Sequence, residues 1–305
     1  SLSAGAIISC NMLGGKIVSP IKGLITFFAD TSTIAGAMDQ IGSIWNANPE
    51  RAGAGSQHVI TGKYDLRDVG VKFGDHDALS GVNLTIPARG KVAIVGPSAS
   101  GKSTLLRLLQ GLLKPNDGVL EVDGNNLASL DLVHYRSQVA LVDLQPTFFA
   151  GTIEQNIRRV RPNISIREFD EALELSGLNS LSKDLSDGLS TEIDLVASNL
   201  SQSHKITVAL ARALATDPNL ILLDETFNTL DKQTQVLLKG KIDEIAAGRT
   251  LIATIHDFRW LGKFDWIIVL EKGSVVDEGT HDDLMENCSL YQEMWELEKQ
   301  IAADS

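Results

Sequence analysis

"KVAIVGPSASGKSTLLRLL", Lys91 to Leu109, is the stretch whose reading decides the fold. Val92 to Val95 form a short strand-like run, and "LLRLLQGLL" from Leu105 onward is helical in character. The residues between them, Gly96 to Thr104, therefore connect a strand to a helix. They fit G-x-x-x-x-G-K-[ST], a loop whose glycines let backbone N–H groups close around phosphates at a helix N-terminus. Gly96 and Gly101 hold the two glycine positions, with Pro97, Ser98, Ala99 and Ser100 between them and Thr104 at the end. Lys102 is placed to reach the β- and γ-phosphates, and Ser103 to offer its hydroxyl to Mg²⁺. With average residue usage the bare pattern arises by chance in roughly one chain in a hundred of this length, and the flanking strand and helix make chance rarer.

A nucleotide site also needs a carboxylate for the metal and a group that positions water. "NLILLDET", Asn219 to Thr226, supplies both. Leu220 to Leu223 read as a strand buried on both faces of a parallel sheet, so Asp224 emerges at its carboxyl end, where open α/β sheets bind ligands. Asp224 is assigned to Mg²⁺ and Glu225 to the attacking water.

The remainder of the chain bounds these readings. Its 305 residues are 43% hydrophobic and 22% charged, enough for one large core or two smaller ones. The net charge of −12 leaves no broad basic surface, which argues against a nucleic-acid partner. Cys10 and Cys288 have neither metal-ligand spacing nor a disulfide pattern, as fits a reducing compartment. Ser1 to Gly15 carry no charge, and the run is too short for the roughly 20 apolar residues of a full span. A basic region that would open a cleavable signal is absent. With no initiating Met, the chain reads as a fragment whose first residues, to about Phe28, end a transmembrane helix; an ordinary buried helix is the alternative. Ile34, Met38, Ile41, Ile44 and Trp45 recur at helical spacing and continue the helix to Pro49. "NPERAGAGSQ" then has linker composition. The expected domains are 1–48 for the end of a membrane domain and its helical extension, 49–58 for a linker, 59–298 for a nucleotide-binding domain and 299–305 for a tail.

The order of motifs from about Val59 to Leu297 resembles the exporter type of the ATP-binding cassette (ABC) family. The resemblance implies an α/β fold with a parallel-sheet core, an antiparallel β subdomain and a helical subdomain, preceded by a helix from a membrane domain. "VGVKF" is similar to the family's aromatic adenine loop and places Phe73 on the base. "GTIEQNI" is similar to the segment after the exporters' glutamine loop, and "DETFNTLD" covers the Walker B end and D-loop, which sets Asp231 at a dimer interface. "TLIATIHDF" places His256 at the switch-histidine position, in contact with the γ-phosphate. ATP and Mg²⁺ are the implied cofactors. The implied partners are a second ABC subunit and a transmembrane domain, in a membrane whose cytoplasmic side carries the nucleotide domain, as at a bacterial inner membrane. "GKIVSPIKGLITFF", Gly15 to Phe28, looks like the end of the last membrane helix in the subgroup that secretes peptides or proteins, including type I secretion and bacteriocin exporters.

Two departures stand out. Counting back from Gly151, the family's glutamine falls on Leu144, with Gln145 one place late. Either the loop is shifted, so that Gln145 meets Mg²⁺, or that contact is altered. The family signature L-S-G-G-Q reads Leu200-Ser201-Gln202-Ser203-His204 here, ahead of an intact "VALARAL". Ser201 remains as an N-cap that would aim a helix N-terminus at a partner's γ-phosphate. The expectation is a site weak in hydrolysis, in a heterodimer with an intact partner signature, in a slow homodimer, or in a soluble ATPase or regulatory module.

Overall fold

The computed structural model describes residues 4–46, 55–194 and 197–303. Residues 49–54 of the expected linker and 304–305 of the expected tail lie outside them. The chain divides into two compact units, Ser1–Arg51 and Ala52–Ser305.

The described residues of the first unit form one long helix, α1 (Ala4–Trp45), which runs through Pro20. It joins what the sequence suggested were a membrane-helix end and a cytoplasmic extension into one element. Met12, Leu24, Phe28 and Met38 are exposed along it. Among the described residues no helix is long and apolar enough to cross a membrane.

The second unit is built on two sheets. Strands β1 (Tyr64–Phe73), β2 (His76–Ile86), β4 (Asp117–Val122) and β5 (Asn125–Asn126) form an antiparallel sheet in the order β2-β1-β4-β5. The central sheet contains β3 (Lys91–Val95), β6 (Val139–Val142), β9 (Leu220–Leu223), β10 (Thr250–Thr254), β11 (Trp266–Glu271) and β12 (Ser274–Gly279), in the order β12-β11-β3-β10-β9-β6. All its neighbours pair in parallel except β11 with β12.

Alternate residues of the central strands feed two separate cores. Ala93, Val95, Ile221, Leu223, Leu251 and Ala253 enter one cluster, while Val92, Ile94, Leu220, Leu222 and Ile252 enter the other. A strand with both faces buried must be apolar throughout, which is why "LILL" and "VAIV" read as continuous runs. The second cluster is closed by the antiparallel sheet and by α2 (Lys102–Leu109), with Tyr135 of α3 (Leu132–Arg136). The first is closed by helices α4 (Ile153–Arg158), α5 (Ile166–Leu175), α6 (Leu178–Leu181), α7 (Gln202–Leu214) and α8 (Lys232–Ile245). Capping boxes start α4 at Thr152 with Gln155 and α5 at Ser165 with Glu168, so each helix begins where the local sequence satisfies its free N–H groups. The short ribbon of β7 (Gly151–Thr152) and β8 (Glu192–Ile193) ties the helical layer together. Helices α9 (His281–Asn287) and α10 (Ser289–Ala303) complete the chain, with Leu284 and Tyr291 buried in the first core.

Candidate nucleotide site

The loop after β3 is shaped by backbone conformations that side chains tolerate poorly. Gly96 has φ +154, and a Cβ there would sit 2.1 Å from the Leu270 carbonyl oxygen of the neighbouring β11. Gly101 has φ +102, and its Cβ would meet the Ala78 carbonyl oxygen at 2.7 Å. Glycine is therefore required at both positions for close packing behind the loop as well as for any ligand in front. Pro97, Ser98 and Ala99 form its exposed crest, with Ala99 at φ +60. Ser100 is buried, its Oγ has no hydrogen-bond partner among the described residues, and its carbonyl accepts from Gly273 N–H at 3.0 Å. Lys102 is buried at the start of α2, and its Nζ donates to Gly96 O at 2.8 Å and Pro97 O at 2.9 Å. Burial pushes its ammonium below the usual lysine range, against the opposite pull of Glu225 and Asp224. A buried cation resting on loop carbonyls is positioned for an anion that enters the loop. Thr104 follows Ser103 in the first turn of α2.

Adjacent strands bring the other groups to the same edge. β10 lies between β3 and β9, so the residues following β3, β9 and β10 emerge side by side at the carboxyl ends of the parallel strands. Asp224 is buried there and accepts from Ser103 Oγ at 3.0 Å and from Thr254 Oγ1 at 3.0 Å. Burial raises its carboxyl above the usual range, and Asp143 and Glu225 add to the rise, while the two hydroxyls oppose it. Thr254 Oγ1 also accepts from Glu225 N–H at 2.6 Å. Glu225 itself has φ +50, in the left-handed region where a non-glycine residue is strained. His256 Nε2 donates to Glu225 Oε1 at 3.0 Å. One connected chain of hydrogen bonds thus runs Ser103, Asp224, Thr254, Glu225, His256. Thr254 is the member that sequence reading missed. It ends the strand "TLIAT", and a threonine there is indistinguishable from an ordinary strand residue until β9 and β10 are known to be neighbours.

The groups present fit Mg²⁺ and a nucleotide phosphate. Ser103 and Asp224 supply hard oxygen donors at one point, as that ion requires. The loop offers a cradle that a Cβ would fill and an unpaired buried hydroxyl. Among the described residues no cluster of three or more His, Cys, Asp or Glu side chains is arranged to hold a metal without a ligand.

The signature turn lies elsewhere, and Gln202 and Ser203 tie it to two other segments. Ser201 is the N-cap of α7, and its Oγ accepts from His204 N–H at 3.3 Å. Gln202 Nε2 donates to Leu144 O at 2.6 Å, across 58 positions of chain. Ser203 is buried, and its Oγ accepts from Asp231 N–H at 3.1 Å. Asp231 is itself the N-cap of α8, accepting from Thr234 N–H at 2.8 Å. The turn is therefore fastened to the loop after β6 and to the segment before α8, links with no local sequence signal. Gln145 is exposed, and among the described residues no hydrogen bond joins it to Ser103 or Asp224; the contact with α7 is made by the backbone of Leu144. Phe73 ends β1 opposite His76 and is 51% exposed.

A phosphate loop at the end of a parallel strand, beside a strand-end carboxylate pair, defines a P-loop nucleotide-binding protein. Comparison narrows that class. The ABC transporter family profile matches residues 79–228. Over 290 residues the chain is 32% identical to the exotoxin translocation ATP-binding protein PaxB of Pasteurella aerogenes, covering 94% of this chain and 41% of that one. It is 31% identical over 301 residues to the alpha-hemolysin translocation ATP-binding protein HlyB of Escherichia coli O6:H1, covering 97% and 43%. A bacterial Atm1-family ABC exporter solved with ATP bound superposes with a TM-score of 0.80 at 27% identity, covering 98% of this chain and 53% of that one. The chain belongs to the ABC transporter family, with the α/β ATPase fold of its nucleotide-binding domain. It spans less than half the length of these curated relatives.

Proposed function

We propose that this chain is the ATP-binding and ATP-hydrolysing part of an exporter that moves a peptide or protein across a membrane. The observation that carries the reading is the hydrogen-bonded chain from Ser103 to His256 beside the buried Lys102. Gly96 to Thr104 would hold the phosphates, Lys102 their charge, and Phe73 the base. Ser103 and Asp224 would hold Mg²⁺, which when bound would neutralise phosphate charge. Glu225, its carboxylate directed by His256, would accept the proton of the attacking water. The printed names of the translocation relatives support a protein cargo, and the exposed apolar side chains of α1 support a membrane domain of the same polypeptide or a partner. The nucleotide domain would then lie on the cytoplasmic side. Gln145 remains the candidate for a shifted glutamine-loop contact, and Asp231 for a place near a second ABC subunit.

Retained Walker residues beside an altered signature favour a heterodimer, in which this chain's ATP is completed by the partner's signature. A homodimer with slow turnover is the second reading, since every site would then borrow Ser201 to His204. The deciding variant is Glu225→Gln, nearly isosteric but unable to take a proton. It is expected to keep ATP bound while turnover falls to background. A Glu225→Gln protein that hydrolyses at the native rate would remove Glu225 from its role.

A further inference from the structure

The three departures from the family signature all make hydrogen bonds within the chain, and one of them acts on Ser201 itself. His204 Nδ1 lies 2.6 Å from Ser201 Oγ, and its Nε2 lies 3.1 Å from the carbonyl oxygen of Leu181 at the end of α6. A carbonyl oxygen cannot donate, so in the neutral ring Nε2 carries the proton and Nδ1 is the acceptor. Ser201 Oγ–H is then the donor to Nδ1, while the Ser201 lone pair receives His204 N–H. The only proton of that hydroxyl is committed, at a distance typical of a strong hydrogen bond. The ring is held in place at both ends, by the cap of its own helix and by the end of another.

We propose that His204 is a positioning residue that withholds the Ser201 hydroxyl from nucleotide, and that this contact, more than the missing glycines, weakens the signature of this chain. The proposal rests on the homodimeric reading, in which this turn faces ATP held by a second copy of the chain. Gln202 and Ser203 point to other partners: Gln202 reaches Leu144 and Ser203 reaches Asp231. Neither side chain engages Ser201. A phosphate oxygen approaching the N-terminus of α7 meets backbone N–H groups but no free hydroxyl donor. Replacing the imidazole by a side chain that leaves Ser201 unengaged restores that donor.

Two measurements on the full chain test this. Imidazole ¹⁵N spectra of the histidine-labelled protein at neutral pH should show His204 protonated at Nε2 and bare at Nδ1. The Nδ1 resonance should move towards that of a free ring in Ser201→Ala. A proton on Nδ1 overturns the assignment. In steady-state ATPase assays His204→Gln should raise kcat by roughly tenfold or more, since one preorganised donor is worth at least that, with KM little changed. Adding Ser201→Ala to His204→Gln should erase the gain. His204→Ala, which keeps the backbone cap, serves if the glutamine variant folds poorly. An unchanged kcat in both variants, or a gain that survives loss of Ser201, overturns the proposal. The facing geometry is checked apart from it, by a Ser98→Cys, Ser201→Cys pair in the Glu225→Gln chain with ATP and a mild oxidant. An interchain disulfide together with a flat kcat defeats the role of His204 alone; no disulfide in the ATP-bound protein defeats the reading beneath it.

Discussion

Asp224 carries the sharpest consequence at the scale of a single residue. Its side chain is buried, its Oδ1 takes both hydroxyls of Ser103 and Thr254, and burial together with Asp143 and Glu225 raises its carboxyl. A carboxyl raised in the folded state gives stability that is complete below its unfolded value, near pH 4, and is lost as pH rises through the folded value. Without Mg²⁺ and nucleotide, the protein therefore carries an unfavourable charge at neutral pH. Asp224→Asn keeps an oxygen for the two hydroxyls and removes that charge. The variant is expected to melt at a higher temperature than the native chain at pH 7 without ligand, with the difference closing towards pH 4. Melting curves across that range check it, and a native chain that is the more stable at pH 7 contradicts it. Function and stability would oppose each other here, since the charge that costs stability is the one the proposed Mg²⁺ site would use.

At the scale of elements, the N-termini of α7 and α8 share one junction. Asp231 caps α8 through Thr234 N–H and Thr234 Oγ1, and its own N–H is held by Ser203 Oγ. Hydrogen bonds from Ser203 and from the first turn of α8 bring its carboxyl down to about 2. A lowered carboxyl contributes stability that is present above its unfolded value and lost as pH falls through the folded one. The contribution should fade between about pH 4 and pH 2. Asp231→Ala removes the cap and should cost about 1 kcal/mol at pH 7. Asp231→Asn should retain most of that stability while losing its acid dependence. Denaturant unfolding of the three proteins at pH 7 and pH 3 measures both effects. Equal stability of the alanine variant and the native chain would show that the junction is held by other contacts.

The whole molecule divides at about residue 51, and both apolar cores lie within residues 60–291. A protein comprising residues 57–305 should therefore unfold cooperatively by itself, with a Tm within about 3 °C of the full chain's, because removing α1 deletes no member of either core. Calorimetry of the two proteins tests this. A fragment without a cooperative transition would mean that α1 supports the nucleotide-binding unit.

The sequence by itself determined the strand, loop and helix at Lys91 to Leu109, because glycine at Gly96 and Gly101 and lysine at Lys102 are dictated by local backbone and charge. It determined that Leu220 to Leu223 are a central strand, because a strand covered on both faces leaves a continuous apolar run. It also showed the cap at Ser201, which needs only neighbouring N–H groups. Tertiary structure alone decided that β10 lies between β3 and β9, and so that Thr254 joins Asp224 to Glu225. It alone decided where Gln202, Ser203 and His204 end, since their partners Leu144, Asp231 and Leu181 are 58, 28 and 23 positions away. A short-range pattern is set by backbone sterics and solvent exposure, which residues a few positions apart report directly. A hydrogen bond across tens of residues depends on how whole elements pack, and no single residue type encodes that.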